Sequence, residues 1–124
     1  HSDLRRQRQM CIRDRICTID NNNKQIDGDL KDVLDLGNIE SKFQSFGWFT
    51  INLDDGNNLD EVRKAIQTAK ENCFNGKPVV VIMKTIMGNG VNYMMGTHKW
   101  HGVAPNDEEL EIALNQNPET LNDY

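Results

Sequence analysis

From Ile16 onward the apolar positions fall into two kinds of spacing, short continuous runs and three- or four-residue steps, and the two kinds alternate. That alternation predicts strands interleaved with helices, hence an α/β chain with a parallel sheet flanked by helices. ICTID at residues 16–20 reads as a short buried strand, and the aromatic and β-branched WFTINL at 48–53 as a second. Between them, ESKFQSFG at 40–47 sets Phe43 and Phe46 three apart and stops at Gly47, the form of a short helix with a glycine end. The clearest helix follows: Leu59, Val62, Ala65, Ile66, Ala69 and Cys73 share one face, Asn58 and Glu61 form a capping arrangement, and Gly76 with Pro78 ends it. PVVVIM at 78–83 is continuously apolar after a proline, as expected of a central strand covered on both faces. DEELEIALNQ at 107–116 carries acids in its first turn, where the helix dipole favours them, and NPETLNDY reads as a frayed tail.

Composition narrows the class. The chain has 124 residues, 37% hydrophobic and 27% charged, which suits one modest core. No apolar run is long enough for a membrane span and none forms a secretory signal, so the expected compartment is the cytoplasm. Cys11, Cys17 and Cys73 make no CxxC pair, and an odd count points to reduced thiols. The net charge of −5 is uneven: five arginines against Asp3 and Asp14 give residues 1–15 a charge of +3, leaving −8 for residues 16–124. An acidic body argues against nucleic-acid binding. Residues 1–15 show no apolar periodicity and are expected to be a non-native leader, with the fold in 16–124; the other reading is a basic arm for an acidic partner.

Two loops leave the carboxyl ends of strands, where open parallel sheets collect ligands. One is NNNKQIDG at 21–28, which is either a plain asparagine-rich turn or a set of amide and carbonyl oxygens for a hard cation beside a phosphate. The other is KTIMGNGVNYMMGTHKWHGVAP at 84–105, longer than structureless loops usually are. In it, MGNG at 87–90 reads either as a common turn or as backbone open to a phosphate. His101 is a proton donor and acceptor near neutral pH or a surface residue. His98 and His101 lack further donors at zinc spacing, and Tyr93 and Trp100 read as packing groups.

Taken in order, IDNNNKQIDG, KFQSFGW, KPVVVIMKTIMGNGV and WHGVAPNDEE resemble the second half of the thiamine-diphosphate-binding domain of transketolases, from Ile16 to about Leu114. The resemblance is strongest to the short N-terminal subunit of split transketolases. It implies a thiamine-diphosphate-binding fold whose N-terminal part is missing, with thiamine diphosphate and Mg2+ (or Ca2+) as cofactors. By the same resemblance Asn22 is the side-chain ligand of the metal and Lys24 its backbone-carbonyl ligand. His101 becomes the catalytic and cofactor-contacting histidine, and Gly88 and Gly90 the cofactor-binding glycine loop.

The implied reaction is transfer of a two-carbon ketol group between sugar phosphates, with a C-terminal transketolase subunit or domain as partner in a homo- or hetero-oligomer. The alternatives are 1-deoxyxylulose-5-phosphate synthase, the decarboxylating component of a 2-oxoacid dehydrogenase, or a non-catalytic α/β interaction module. Three departures go with the resemblance. The family's Gly-Asp-Gly would stand upstream of His1, and its activating glutamate lies in the partner domain, so the chain alone is expected to be inactive. Met87 stands where many relatives carry lysine, leaving Lys84 or Lys99 to substitute.

Overall fold

The computed structural model describes residues 15–118. In chain order the elements are β1 (Ile16–Asn21), β2 (Lys24–Gln25), β3 (Gly28–Asp29), α1 (Leu30–Val33), α2 (Ile39–Ser45), β4 (Phe49–Leu53), α3 (Leu59–Asn72), β5 (Val79–Lys84), a 3-10 turn (His98–Trp100) and α4 (Asp107–Gln116). They fall into two compact units, residues 15–21 with 36–85 and residues 22–35 with 86–118.

The first unit is built on a parallel sheet of order β1-β5-β4. β5 takes the centre because it alone is apolar on both faces: Val79, Val80 and Val81 are fully buried and Ile82 nearly so. On one face Val79, Val81 and Leu53 pack against Ala65, Ala69 and Cys73 of α3, with Ile16 and Ile51 at the margin. α3 starts as its sequence requires, the Asn58 carboxamide accepting the Asp60 and Glu61 N–H groups at 3.0 and 3.3 Å.

Side chains alternate along a strand, so Thr50 faces away from α3. There it meets α2, its hydroxyl donating to Glu40 Oε1 at 3.2 Å and accepting from Gln44 at 3.1 Å. The sheet thus has a helix on each face. β1 corrects one expectation: it is an edge strand with alternating half-buried and exposed residues, not a buried one, because only β5 has neighbours on both sides. α2 begins one residue earlier than its pattern suggested, with Asn38 accepting the Ser41 N–H at 2.9 Å, and Trp48 precedes β4 to pack edge-on against Phe43.

The second unit holds what read as irregular loops, and both carry structure. Residues 24–29 form an antiparallel hairpin, β2 and β3, closed by the Ile26–Asp27 turn. Asn23 enters it at φ 56°, a left-handed conformation that asparagine tolerates. The long loop is bonded to α4. Tyr93 Oη donates to the Glu109 carbonyl at 2.7 Å, Trp100 Nε1 to the Tyr93 carbonyl at 3.0 Å, and the two rings meet edge-on at 5.0 Å. Asn117 Nδ2 donates to the Gly90 carbonyl at 3.0 Å, and the Asn92 N–H to Gln116 Oε1 at 2.8 Å. A reciprocal capping box between Asn106 and Glu109 starts α4.

The expected leader lies outside the described residues except for Arg15, whose carbonyl accepts the Val79 N–H at 2.9 Å and so extends the β1–β5 ladder. Cys11 and residues 119–124 of the expected tail also lie outside them. Cys17 and Cys73 are free thiols. Among the described residues no helix is long and apolar enough to cross a membrane.

Candidate functional site

Asn22, Lys24, Gly88, Gly90 and His101 all belong to the second unit. Asn22 leaves the tip of β1 and bends back, its Oδ1 accepting the Lys24 N–H at 2.9 Å. This bond makes the asparagine-rich segment an Asx turn, and a carbonyl oxygen that accepts one hydrogen bond retains a second lone pair. The Leu30 N–H donates to the Asn23 carbonyl at 3.0 Å, which makes Asn23 and Leu30 a hydrogen-bonded pair of the hairpin. Lys24 and Asp29, next in register, are therefore the non-bonded pair, and the Lys24 N–H and C=O both point away from β3. Asn22 Oδ1 and the Lys24 carbonyl share that outer edge.

Across the hairpin the Lys24 ammonium is ion-paired with the Asp29 carboxylate. That hydrogen bond, reinforced by the charges of Lys24, Lys31 and His98, holds the Asp29 carboxyl below its ordinary value. The influence of His98 also brings the two loops into relation, since His98 opens the 3-10 turn that ends at His101. His101 itself is exposed, its N–H donating to the His98 carbonyl at 3.0 Å. The Gln25 Nε2 in the same hairpin is buried and has no hydrogen-bond partner.

Gly88 and Gly90 have positive φ, 71° and 99°, and both are crowded by the chain's own atoms. A Cβ on Gly88 would lie 2.5 Å from the Met94 carbonyl oxygen, and one on Gly90 2.8 Å from Asn117 Oδ1. Packing within the second unit is thus sufficient reason for glycine at both positions. The expected replacement for a phosphate-binding lysine at Met87 finds Lys84 in the first unit, its ammonium on Asp54 at 2.6 Å. There it lines a polar cavity of about 290 Å3 at the carboxyl ends of β1, β4 and β5, together with Asn21, Glu40, Asn52 and Asp54. Sequence reading missed this cavity, because its walls come from segments far apart along the chain, as with Asn21 and Asp54.

The donors at the Asn22–Lys24 edge are hard, neutral oxygens, the type that Mg2+ and Ca2+ accept. Among the described residues no three His, Cys, Asp or Glu side chains form a metal-binding group, so this edge fits part of a cation's shell and leaves the rest to phosphate oxygens.

Residues 8–118 match the family described as transketolase, thiamine diphosphate binding domain. One of the two apulose-4-phosphate transketolase subunits of Phocaeicola vulgatus is 33% identical over 107 residues, 86% of this chain and 37% of that protein. A transketolase of Halalkalibacterium halodurans is 33% identical over 98 residues, 79% of this chain and 14% of its own length. The crystal structure of Campylobacter jejuni transketolase superimposes with a TM-score of 0.75 at 26% identity, covering 87% of this chain and 17% of that one. The chain therefore spans little more than a third of the first of these relatives and about a seventh of the second. With the family pattern running through nearly all of its described residues on a matching fold, the chain belongs to the transketolase thiamine diphosphate binding domain family.

Proposed function

We infer that this chain forms part of a transketolase that moves a two-carbon ketol unit between sugar phosphates, using thiamine diphosphate and a divalent cation. The observation that carries the reading is the outer edge of the hairpin, where Asn22 Oδ1 and the Lys24 carbonyl lie side by side within a chain of this family. Thiamine diphosphate, when bound, supplies the carbanion chemistry, and the protein contributes binding, orientation and electrostatics.

Each residue then has a task. Asn22 and Lys24 hold the cation that neutralises the diphosphate against the acidic body of the chain. His101, exposed at the end of its 3-10 turn, donates a hydrogen bond to the sugar's oxygen or exchanges a proton with it. Gly88 and Gly90 shape the loop before it. A C-terminal subunit or domain completes the enzyme, a role suggested by relatives that are themselves named as subunits.

The test is a titration of the chain with Mn2+ in the presence of thiamine diphosphate, followed by electron paramagnetic resonance. Saturable binding that Asn22→Ala weakens roughly tenfold or more is the expected result. Equal binding by both proteins overturns the assignment of Asn22. Combined with its C-terminal partner, the enzyme is expected to turn over pentose phosphates; turnover of pyruvate alone would transfer it to the other thiamine-dependent chemistries.

A further inference from the structure

We propose that Asp29 is a positioning residue for the cation edge, cancelling the Lys24 charge and holding the Lys24 peptide in register so that its carbonyl can face a divalent ion. The inference rests on the preceding reading of Asn22 and Lys24.

Two problems meet at Lys24. The first is electrostatic: a residue whose carbonyl is to hold a dication also carries an ammonium, and like charges a few ångströms apart repel. The Asp29 carboxylate answers this directly, since it is ion-paired with that ammonium. The pair is partly shielded from water, with side-chain exposures of 21% for Lys24 and 39% for Asp29, so screening weakens it less than a fully exposed pair.

The second problem is mechanical. β2 and β3 are two residues each, and so short a hairpin is marginal without further ties. Lys24 and Asp29 form the pair without backbone hydrogen bonds, so the side chains supply the tie that the ladder lacks there. Asp29 also lies within electrostatic reach of His98, at the start of the turn carrying His101. Among the described residues its interactions thus reach both segments assigned to the site.

The experiment is a charge cycle on the 124-residue chain, reading Mn2+ affinity in the presence of thiamine diphosphate and, separately, the thermal midpoint without either. Asp29→Asn keeps the shape and strands the Lys24 charge; Mn2+ affinity is expected to fall roughly tenfold. Lys24→Met added to Asp29→Asn removes that charge, and affinity is expected to recover to within about threefold of the unmodified chain. Asp29→Glu, which keeps the charge, should retain binding even if Asp29→Asn folds poorly. A purely structural Asp29 predicts something else: a lower midpoint and lower affinity together, with no recovery in the double variant. That result, or unchanged affinity in Asp29→Asn, overturns the proposal. If the unmodified chain binds no Mn2+, the reading of Asn22 and Lys24 fails and this proposal with it. If Asn22→Ala abolishes binding while Asp29→Asn does not affect it, only this proposal fails.

Discussion

At the scale of single residues, the hairpin that carries Asn22 and Lys24 also contains an uncompensated cost. Gln25 Nε2 is buried and unpaired, and a buried donor without a partner costs on the order of 1–3 kcal/mol. Gln25→Leu keeps similar bulk and removes the donor, so we expect a gain of roughly 1 kcal/mol in chemical denaturation; a loss would mean that the amide is satisfied in solution. Asparagines show how far one residue can be read in isolation. Their tolerance of left-handed backbone and their capping ability are intrinsic, and Asn23 at φ 56° with Asn38, Asn58 and Asn106 at helix starts uses both. Which asparagine oxygen turns outward is not intrinsic. That depended on the Lys24 N–H closing the Asx turn and on the hairpin's register.

At the scale of elements, α4 holds the glycine-bearing loop. Its first turn accepts the Tyr93 hydroxyl and its last turn receives Asn92, while Asn117 just beyond it reaches Gly90. Burial raises the Tyr93 pKa above its ordinary 10.0, and the nearby Glu109 carboxylate raises it further. A phenol whose folded-state pKa lies above its unfolded value contributes stability fully below the unfolded pKa and loses it as pH rises through the folded one. Stability is therefore expected to fall once pH passes about 10, and Tyr93→Phe should remove that component while lowering stability at neutral pH. Urea melts at mildly alkaline pH and again above the ordinary tyrosine pKa check this; identical pH dependence in both proteins would count against a buried Tyr93. The helix pattern of α3 and the unbroken apolar run of β5 were legible because each follows a period that survives in any fold. The hairpin and the α4 contacts were not, because bonds such as Asn117 to Gly90 join positions with no shared period.

At the scale of the whole molecule, the sheet has two edges among the described residues, β1 and β4, and apolar side chains lie open on its surroundings. Phe46 is 82% exposed, Phe74 78% and Leu59 85%, well above what a partner-free surface requires. Unpaired strand edges and exposed aromatics favour association with other chains. The isolated chain is expected to self-associate in light scattering as its concentration rises, and to do so less once a C-terminal partner is added. A stable monomer with a single cooperative melt would sink this expectation. The family's longer members bear on the same point, since this chain spans 37% of the Phocaeicola protein and 14% of the Halalkalibacterium enzyme.

What the amino-acid order determined by itself was local and periodic: the strand–helix alternation, the caps at Asn58 and Asn106, the central place of β5, and an ordered set of motifs specific enough to mark the family before any fold was seen. Only the tertiary structure decided that β1 is an edge, that Gly88 and Gly90 are crowded by Met94 and Asn117, and that Asp29 stands across from Lys24. The physical reason is range. Propensity and hydrophobic period act within a few residues of each position, whereas edges, close approaches and cross-strand charges exist only after distant segments have been brought together.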